Sequence, residues 1–148
     1  VIRPATEEDL PELLAMVDEL AEFELASDEC FCTEEDLRRV LFGPEAHAFD
    51  TVALADDGSV VGHALWFRTF STFMGKSGIW LEDLYIRPDH RRHGHGGALM
   101  ADLRSRTDGR VEWEVLEWNE EAIDFYQRKG ARPMAGWTRY RWTLAPQP

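Results

Sequence analysis

One segment constrains this chain more than any other. Ile86-Arg87-Pro88-Asp89-His90-Arg91-Arg92-His93-Gly94-His95-Gly96-Gly97 carries the end of an apolar strand into a glycine-rich loop, and Ala98, Leu99 and Leu103 then recur at helical spacing. A helix that opens on glycines presents unpaired backbone N–H groups at the positive end of its macrodipole, and missing Cβ atoms let an anion approach the backbone. Arg91 and Arg92 add fixed positive charge. The segment therefore reads as a phosphate cradle on a strand–loop–helix unit. It is not a Walker loop, because no Gly-Lys-Ser/Thr ending is present. Gly94-x-Gly96 also lacks the later glycine and downstream ribose-binding acid of a dinucleotide fingerprint. A glycine loop alone is equally a structural turn; the Arg-x-x-Gly-x-Gly spacing of Arg91, Gly94 and Gly96 after a strand is the more specific signal.

The flanking sequence supplies a sheet for that unit. Residues 1–3 form a short predicted strand, and Thr6 with acids at 7–9 starts a helix carrying Leu10, Leu13, Leu14, Val17, Leu20 and Ala21 that ends near Leu25. Thr33, followed by Glu34, Glu35 and Asp36, caps a second helix that Gly43-Pro44 stops. Strands are expected over 51–55 and 60–70 around the Asp57-Gly58 turn, then over 79–86. After Asp108-Gly109, Val111, Trp113 and Val115 mark another strand, and Asn119 caps a helix running to about Lys129 before Gly130. Alternating bulky residues over 137–143 predict a last strand. The order implies an α/β (α+β) chain, with helices packed on a mixed sheet.

Composition narrows the function classes. The 148 residues amount to one domain, 1–148, and 44% hydrophobic residues with six Trp give enough apolar material to fold. Asp and Glu number 28 against 16 Lys and Arg, a net charge of -12, which excludes a phosphate-tracking nucleic-acid binder. Cys30 and Cys32 have no second Cys or His pair at zinc spacing and read as reduced thiols of a cytoplasmic protein. No stretch is long and apolar enough to span a membrane, and the opening VIRPATEEDL lacks a signal-peptide layout.

With its Arg-x-x-Gly-x-Gly segment the chain resembles the GCN5-related N-acetyltransferases (GNAT), whose equivalent segment holds the pyrophosphate of acetyl-CoA. Val1-Ile2-Arg3-Pro4-Ala5-Thr6, Leu81-Glu82-Asp83 and Glu117-Trp118-Asn119-Glu120 with Phe125-Tyr126 narrow the resemblance to the diamine (spermidine/spermine) N-acetyltransferase subfamily. The resemblance implies the GNAT fold, a mixed, mostly antiparallel central sheet with helices on both faces. It also implies acetyl-CoA as co-substrate, a small amine as acceptor, no metal, no nucleic-acid or membrane partner, and a homodimer.

Site roles follow from the resemblance position by position. Backbone groups of Leu84, Tyr85 and Ile86 would bond the acetyl carbonyl and pantetheine arm. Arg91, Arg92, His93, Gly94, His95, Gly96 and Gly97 would take the pyrophosphate, and Asn119, Glu120, Glu121 and Ala122 would add cofactor contacts. Tyr126 matches the tyrosine that returns a proton to the departing thiolate; read alone, beside Ala122 and Ile123, it is an amphipathic core tyrosine. A phenol with an ordinary pKa of about 10 suits a thiol of about 8 to 9. Glu82 matches the substrate glutamate, as amine anchor and base, with Asp83 beside it. Adjacent residues of a regular strand point to opposite faces. Phe23 and Glu24 match the Tyr-Glu pair that touches the polyamine.

Two positions depart from the polyamine pattern. Ser71-Thr72-Phe73 stands where that subfamily has Asp-Pro-Trp, and Ala135 stands where it has a carboxylate before Gly136-Trp137. The Ser-Thr-aromatic form is closer to the sister enzyme that acetylates thialysine and lysine-like amines. His90, His93 and His95 lie among arginines and glycines, which disfavours a divalent cation and leaves phosphate contact or plain surface positions. Acetylation of a protein or peptide amine, and a non-catalytic CoA-binding domain, are the alternative functions.

Overall fold

A long hairpin is the spine of the sheet. β3 (Val60–Ser71) and β4 (Lys76–Ile86) run antiparallel from Gly62↔Ile86 to Ser71↔Lys76. β2 (Phe49–Leu54) pairs with β3 across the turn at Asp57-Gly58, where Gly58 takes φ +86, and β1 (Ile2–Pro4) pairs with β2. β5 (Val111–Glu112) joins β4 in parallel, giving the order β1-β2-β3-β4-β5. The computed structural model describes residues 1–144, in two compact units, Val1–Trp113 and a second that begins at Glu114.

In the first unit helices cover both faces of the sheet. On one, α3 (His95–Ser105) buries Leu99 and Leu103 against Ala53, Ala64, Trp66, Ile79 and Leu81. On the other, α1 (Leu10–Phe23) and α2 (Glu34–Phe42) bury Leu10, Leu13, Met16 and Leu37 with Val52 and Tyr85. Each such side chain contributes about 1.5–3 kcal/mol by leaving water. Polar latches fix the helix starts. Arg3 donates to both oxygens of Asp9 at 2.7 and 3.0 Å before α1, and the Thr33–Asp36 capping box (3.1 and 3.0 Å) opens α2. Arg87, just past β4, pairs with Glu12 and Glu19, tying α1 to the end of that strand.

The second unit holds α4 (Glu120–Arg128), capped by Asn119 Oδ1, which accepts from Ala122 N at 3.3 Å, and closed by Gly130 at φ +93. Arg139 pairs with Glu114. The expected strand over 137–143 does not form: those residues are irregular, with Trp137, Tyr140 and Trp142 exposed. Strand preference is realised only against a partner edge, and no other strand is present among the described residues of this unit. The strand expected through Val115 is likewise only Val111–Glu112, and the first helix stops at Phe23 because Leu25 adopts φ +59.

Gly62 keeps β3 and β4 close where the site begins. A Cβ there would sit 2.9 Å from the Tyr85 carbonyl oxygen and inside the Ile86 side chain. Gly62→Val should therefore destabilise the chain by about 1–3 kcal/mol, read as a lower urea midpoint; an unchanged midpoint would contradict this packing.

Candidate active site

The sheet is interrupted at one residue. Leu65 faces Asp83 and Trp66 faces Leu81, so Glu82 has no partner on β3 and β4 carries a bulge. One extra residue reverses side-chain parity. Before it, Ile79 and Leu81 point to the α3 face; after it, Leu84 and Ile86 do, while Tyr85 joins the α1 face. Glu82 and Asp83 thus both fall on the α1 face, which corrects the expectation that they point apart. The sequence did hold a signal: apolar residues at 79, 81, 84 and 86 step by three across the two acids.

The bulge gathers the predicted acids. Glu82 Oε1 accepts from Trp80 Nε1 at 3.0 Å and stays exposed. Burial pushes the Asp83 carboxyl up to about 6; the charge of His63 opposes the rise, and those of Glu82, Asp50 and Glu24 add to it. Glu24, at the end of α1, is itself raised by burial. Glu24, Glu82 and Asp83 therefore share one field, an arrangement that favours a cation. Phe23 lies beside them under the guanidinium of Arg91, 5.8 Å from its ring centroid.

Beyond Trp80 the stretch of β4 through Leu84, Tyr85 and Ile86 has no partner strand on the β5 side among the described residues. The Tyr85 side chain is taken up by the fold: its hydroxyl donates to Glu19 at 3.3 Å, and burial holds its phenol above the usual range. Arg91 stacks over Tyr85 and donates from Nε to the Ile86 carbonyl at 2.8 Å, so it braces the junction of α1 and β4. Arg92 (φ +65) and Gly94 (φ +85) turn the chain into α3 through left-handed conformations, and the space in front of Gly94 is open. His95, Gly96 and Gly97 form the first turn, which has no acidic residue. His93 and His95 lie with ring centroids 6.5 Å apart; burial, with the positive N-terminus, His93 and His90, holds His95 below the usual histidine range. Open backbone donors and an acid-free helix start fit a phosphate group.

In the second unit, Glu120, Glu121 and Ala122 form the first turn of α4 behind the Asn119 cap, and Tyr126 sits partly buried on the same helix, edge-on to Phe125 at 5.6 Å. At the β3–β4 hairpin, Ser71 accepts from Met74 N at 3.2 Å, and Phe73 is bare to solvent. Sequence reasoning missed Asp50 and His63, a buried pair on β2 and β3; their signal was an ionisable side chain set among apolar neighbours, Asp50 before Val52-Ala53-Leu54 and His63 within residues 60–65. Burial, with Asp36 and other anions nearby, pushes the Cys32 thiol up to about 11, so it is no nucleophile at neutral pH. Among the described residues no His, Cys, Asp or Glu cluster suits a metal ion, and no helix is long and apolar enough to cross a membrane.

Comparisons with known proteins place the chain in a family. Residues 13–131 match the model of the Acetyltransferase (GNAT) family. Over 155 residues the chain is 34% identical to thialysine N-epsilon-acetyltransferase of Sus scrofa, covering 95% of this chain and 91% of that protein. It is 36% identical over 92 residues to L-ornithine N5-acetyltransferase of Arabidopsis thaliana, covering 60% and 40%. An aminoglycoside acetyltransferase from an uncultured soil metagenomic sample, solved with sisomicin, superposes with a TM-score of 0.76 at 17% identity over 98% of this chain and 96% of that one, a likeness of fold.

A carboxyl raised to about 6 binds its proton more tightly in the folded than in the unfolded chain, where an Asp titrates near 3.9. Its contribution is neutral below about pH 4 and becomes a cost as pH rises through 6. Asp83→Asn should accordingly stabilise the protein by about 1–3 kcal/mol at pH 8 and leave it unchanged at pH 4, read by urea unfolding. An equal effect at both pH values would contradict the origin of the shift.

Proposed function

The chain belongs to the Acetyltransferase (GNAT) family, and from that premise we propose that it moves an acetyl group from acetyl-CoA to a primary amine of a small, lysine-like cation. The observation that carries this reading is the convergence of Glu24, Glu82 and Asp83 at the β4 bulge, on a strand that leads directly into the acid-free, glycine-opened start of α3. An anionic co-substrate and a cationic acceptor thereby each meet the opposite charge. The names of the relatives favour a short amine of the thialysine or ornithine kind. The neutral hairpin at Ser71 and Thr72 supports the same choice, since it offers no further carboxylate to a long polyamine.

Acetyl-CoA supplies the activated acyl group. The N–H groups of His95, Gly96 and Gly97, with Arg92 and His93, hold its pyrophosphate, and Asn119, Glu120, Glu121 and Ala122 add contacts. Backbone groups of Leu84, Tyr85 and Ile86 orient the thioester and stabilise charge on its oxygen. Phe23, Glu24 and Asp83 hold the amine, Glu82 draws off the ammonium proton directly or through water, and Tyr126 protonates the departing sulfur. The free thiols Cys30 and Cys32 favour a cytoplasmic setting. A homodimer is part of the proposal: Trp137, Tyr140 and Trp142 are 77%, 90% and 97% exposed, and a second copy would offer the strand edge that 137–143 lacks in its own unit.

Thiol release from acetyl-CoA should be far faster with thialysine, lysine or ornithine than with spermidine or a basic peptide. Peptide turnover well above every small amine would replace the proposal with protein acetylation, and CoA binding without turnover of any amine would replace it with a binding domain. Tyr126→Phe should lower kcat by about 100-fold or more while leaving the amine KM within a few-fold; full activity would remove the assigned acid. Light scattering should give twice the 17.0 kDa chain mass, and a monomer would contradict the dimer.

A further inference from the structure

Two polar side chains lie under the amine-binding acids, and no step of the proposed acetyl transfer employs them. His63 Nδ1 and Asp50 Oδ2 are 2.9 Å apart, and both side chains are wholly buried. The other polar atom of each, His63 Nε2 and Asp50 Oδ1, has no hydrogen-bond partner. Their position follows from the register. Leu65 stands opposite both Asp50 and Asp83, while His63 stands opposite Val52 and Tyr85. His63 is therefore the diagonal neighbour of Asp50 on β2 and of Asp83 on β4, all three on the α1 face. A pair that merely filled the core would be better replaced by apolar side chains, because each unpartnered polar atom has lost its water without compensation.

We propose, resting on the amine-acetyltransferase reading, that His63, held by Asp50, is a positioning residue for the amine site: it sets the charge of Asp83, and so the pH range over which the site holds a cationic substrate. Burial disfavours any net charge on the pair. It raises Asp50 against the opposing charge of His63; in His63 burial alone would act downward, but the charge and hydrogen bond of Asp50 prevail and the ring is held above its usual range. The favoured form is the net-neutral one, an imidazolium sharing its Nδ1 proton with Asp50. That ring is the positive neighbour of Asp83, which otherwise faces Glu82, Asp50, Glu24 and Cys32. Asp9 adds negative charge beside Asp50. Arg87 acts on His63 from the end of β4, but it is already paired with Glu12 and Glu19. The bulge is what brings Asp83 onto this face at all.

The test is the pH dependence of the amine KM in wild type and in His63→Phe, with His63→Gln and Asp50→Asn alongside so that one misfolded variant does not decide it. Lysine-like amines stay cationic between pH 5 and 8, so a rise in amine KM on acidification reports the site. In the variants that rise should begin about one pH unit higher, giving about a fivefold larger amine KM at pH 6 and a value within twofold at pH 8.5. The KM for acetyl-CoA should not move. A change of the same size at every pH, or no shift of the acid limb, would overturn the proposal. If the wild type acetylates no amine, the function reading fails by itself, and the Asp83 titration followed by carboxyl NMR decides the coupling: a higher midpoint in His63→Phe upholds it, and an unchanged one overturns it.

Discussion

A strand keeps its two faces apart only while its period of two is unbroken, and β4 breaks it once. The unpaired Glu82 reverses the parity of every residue that follows. Leu84 and Ile86 can then pack with Leu99 and Leu103 on the α3 face although Ile79 and Leu81 already do so upstream, and Asp83 and Tyr85 turn toward α1. Had the alternation run on unbroken through Glu82, Asp83 would face the apolar core under α3. With the bulge, two adjacent carboxylates stand on one face near the end of α1, and the same strand runs on toward the glycine loop.

Charge then divides along the strand. The excess of acids over bases is expressed locally in Glu24, Glu82 and Asp83, where burial, with the field of the neighbouring acids, raises Asp83. The cations near them are largely committed. Arg87 is paired with two glutamates, and Arg91 is stacked between Phe23 and Tyr85. Those commitments fix α1 against β4 and leave the buried His63 as the positive neighbour of Asp83, while α3 starts without an acid in its first turn.

Much of this was legible from residues alone, where the signals are local. The caps at Thr33 and Asn119, the Asp57-Gly58 turn and the glycine opening of α3 each act within a few residues, and each sits where the sequence put it. What was not legible depended on partners. The strand at 137–143 needed an edge that its own unit does not contain. The facing of Glu82 and Asp83 needed the pairing with β3, and Asp50 with His63 became a pair only through the register of β2 and β3. Arg91, expected from its spacing to meet phosphate, also braces α1 against β4, a contact between elements far apart in sequence that the spacing does not show.

The central claim is that the bulge assembles an acid cluster tuned to hold a cationic amine. The titration of the Asp83 carboxyl, followed by carbon NMR with and without saturating lysine, tests it most directly. The account predicts a midpoint near 6 for the free protein that falls when the amine is bound, because a cation beside the carboxylate favours its charged form. A midpoint in the ordinary aspartate range, unmoved by amine, would contradict it.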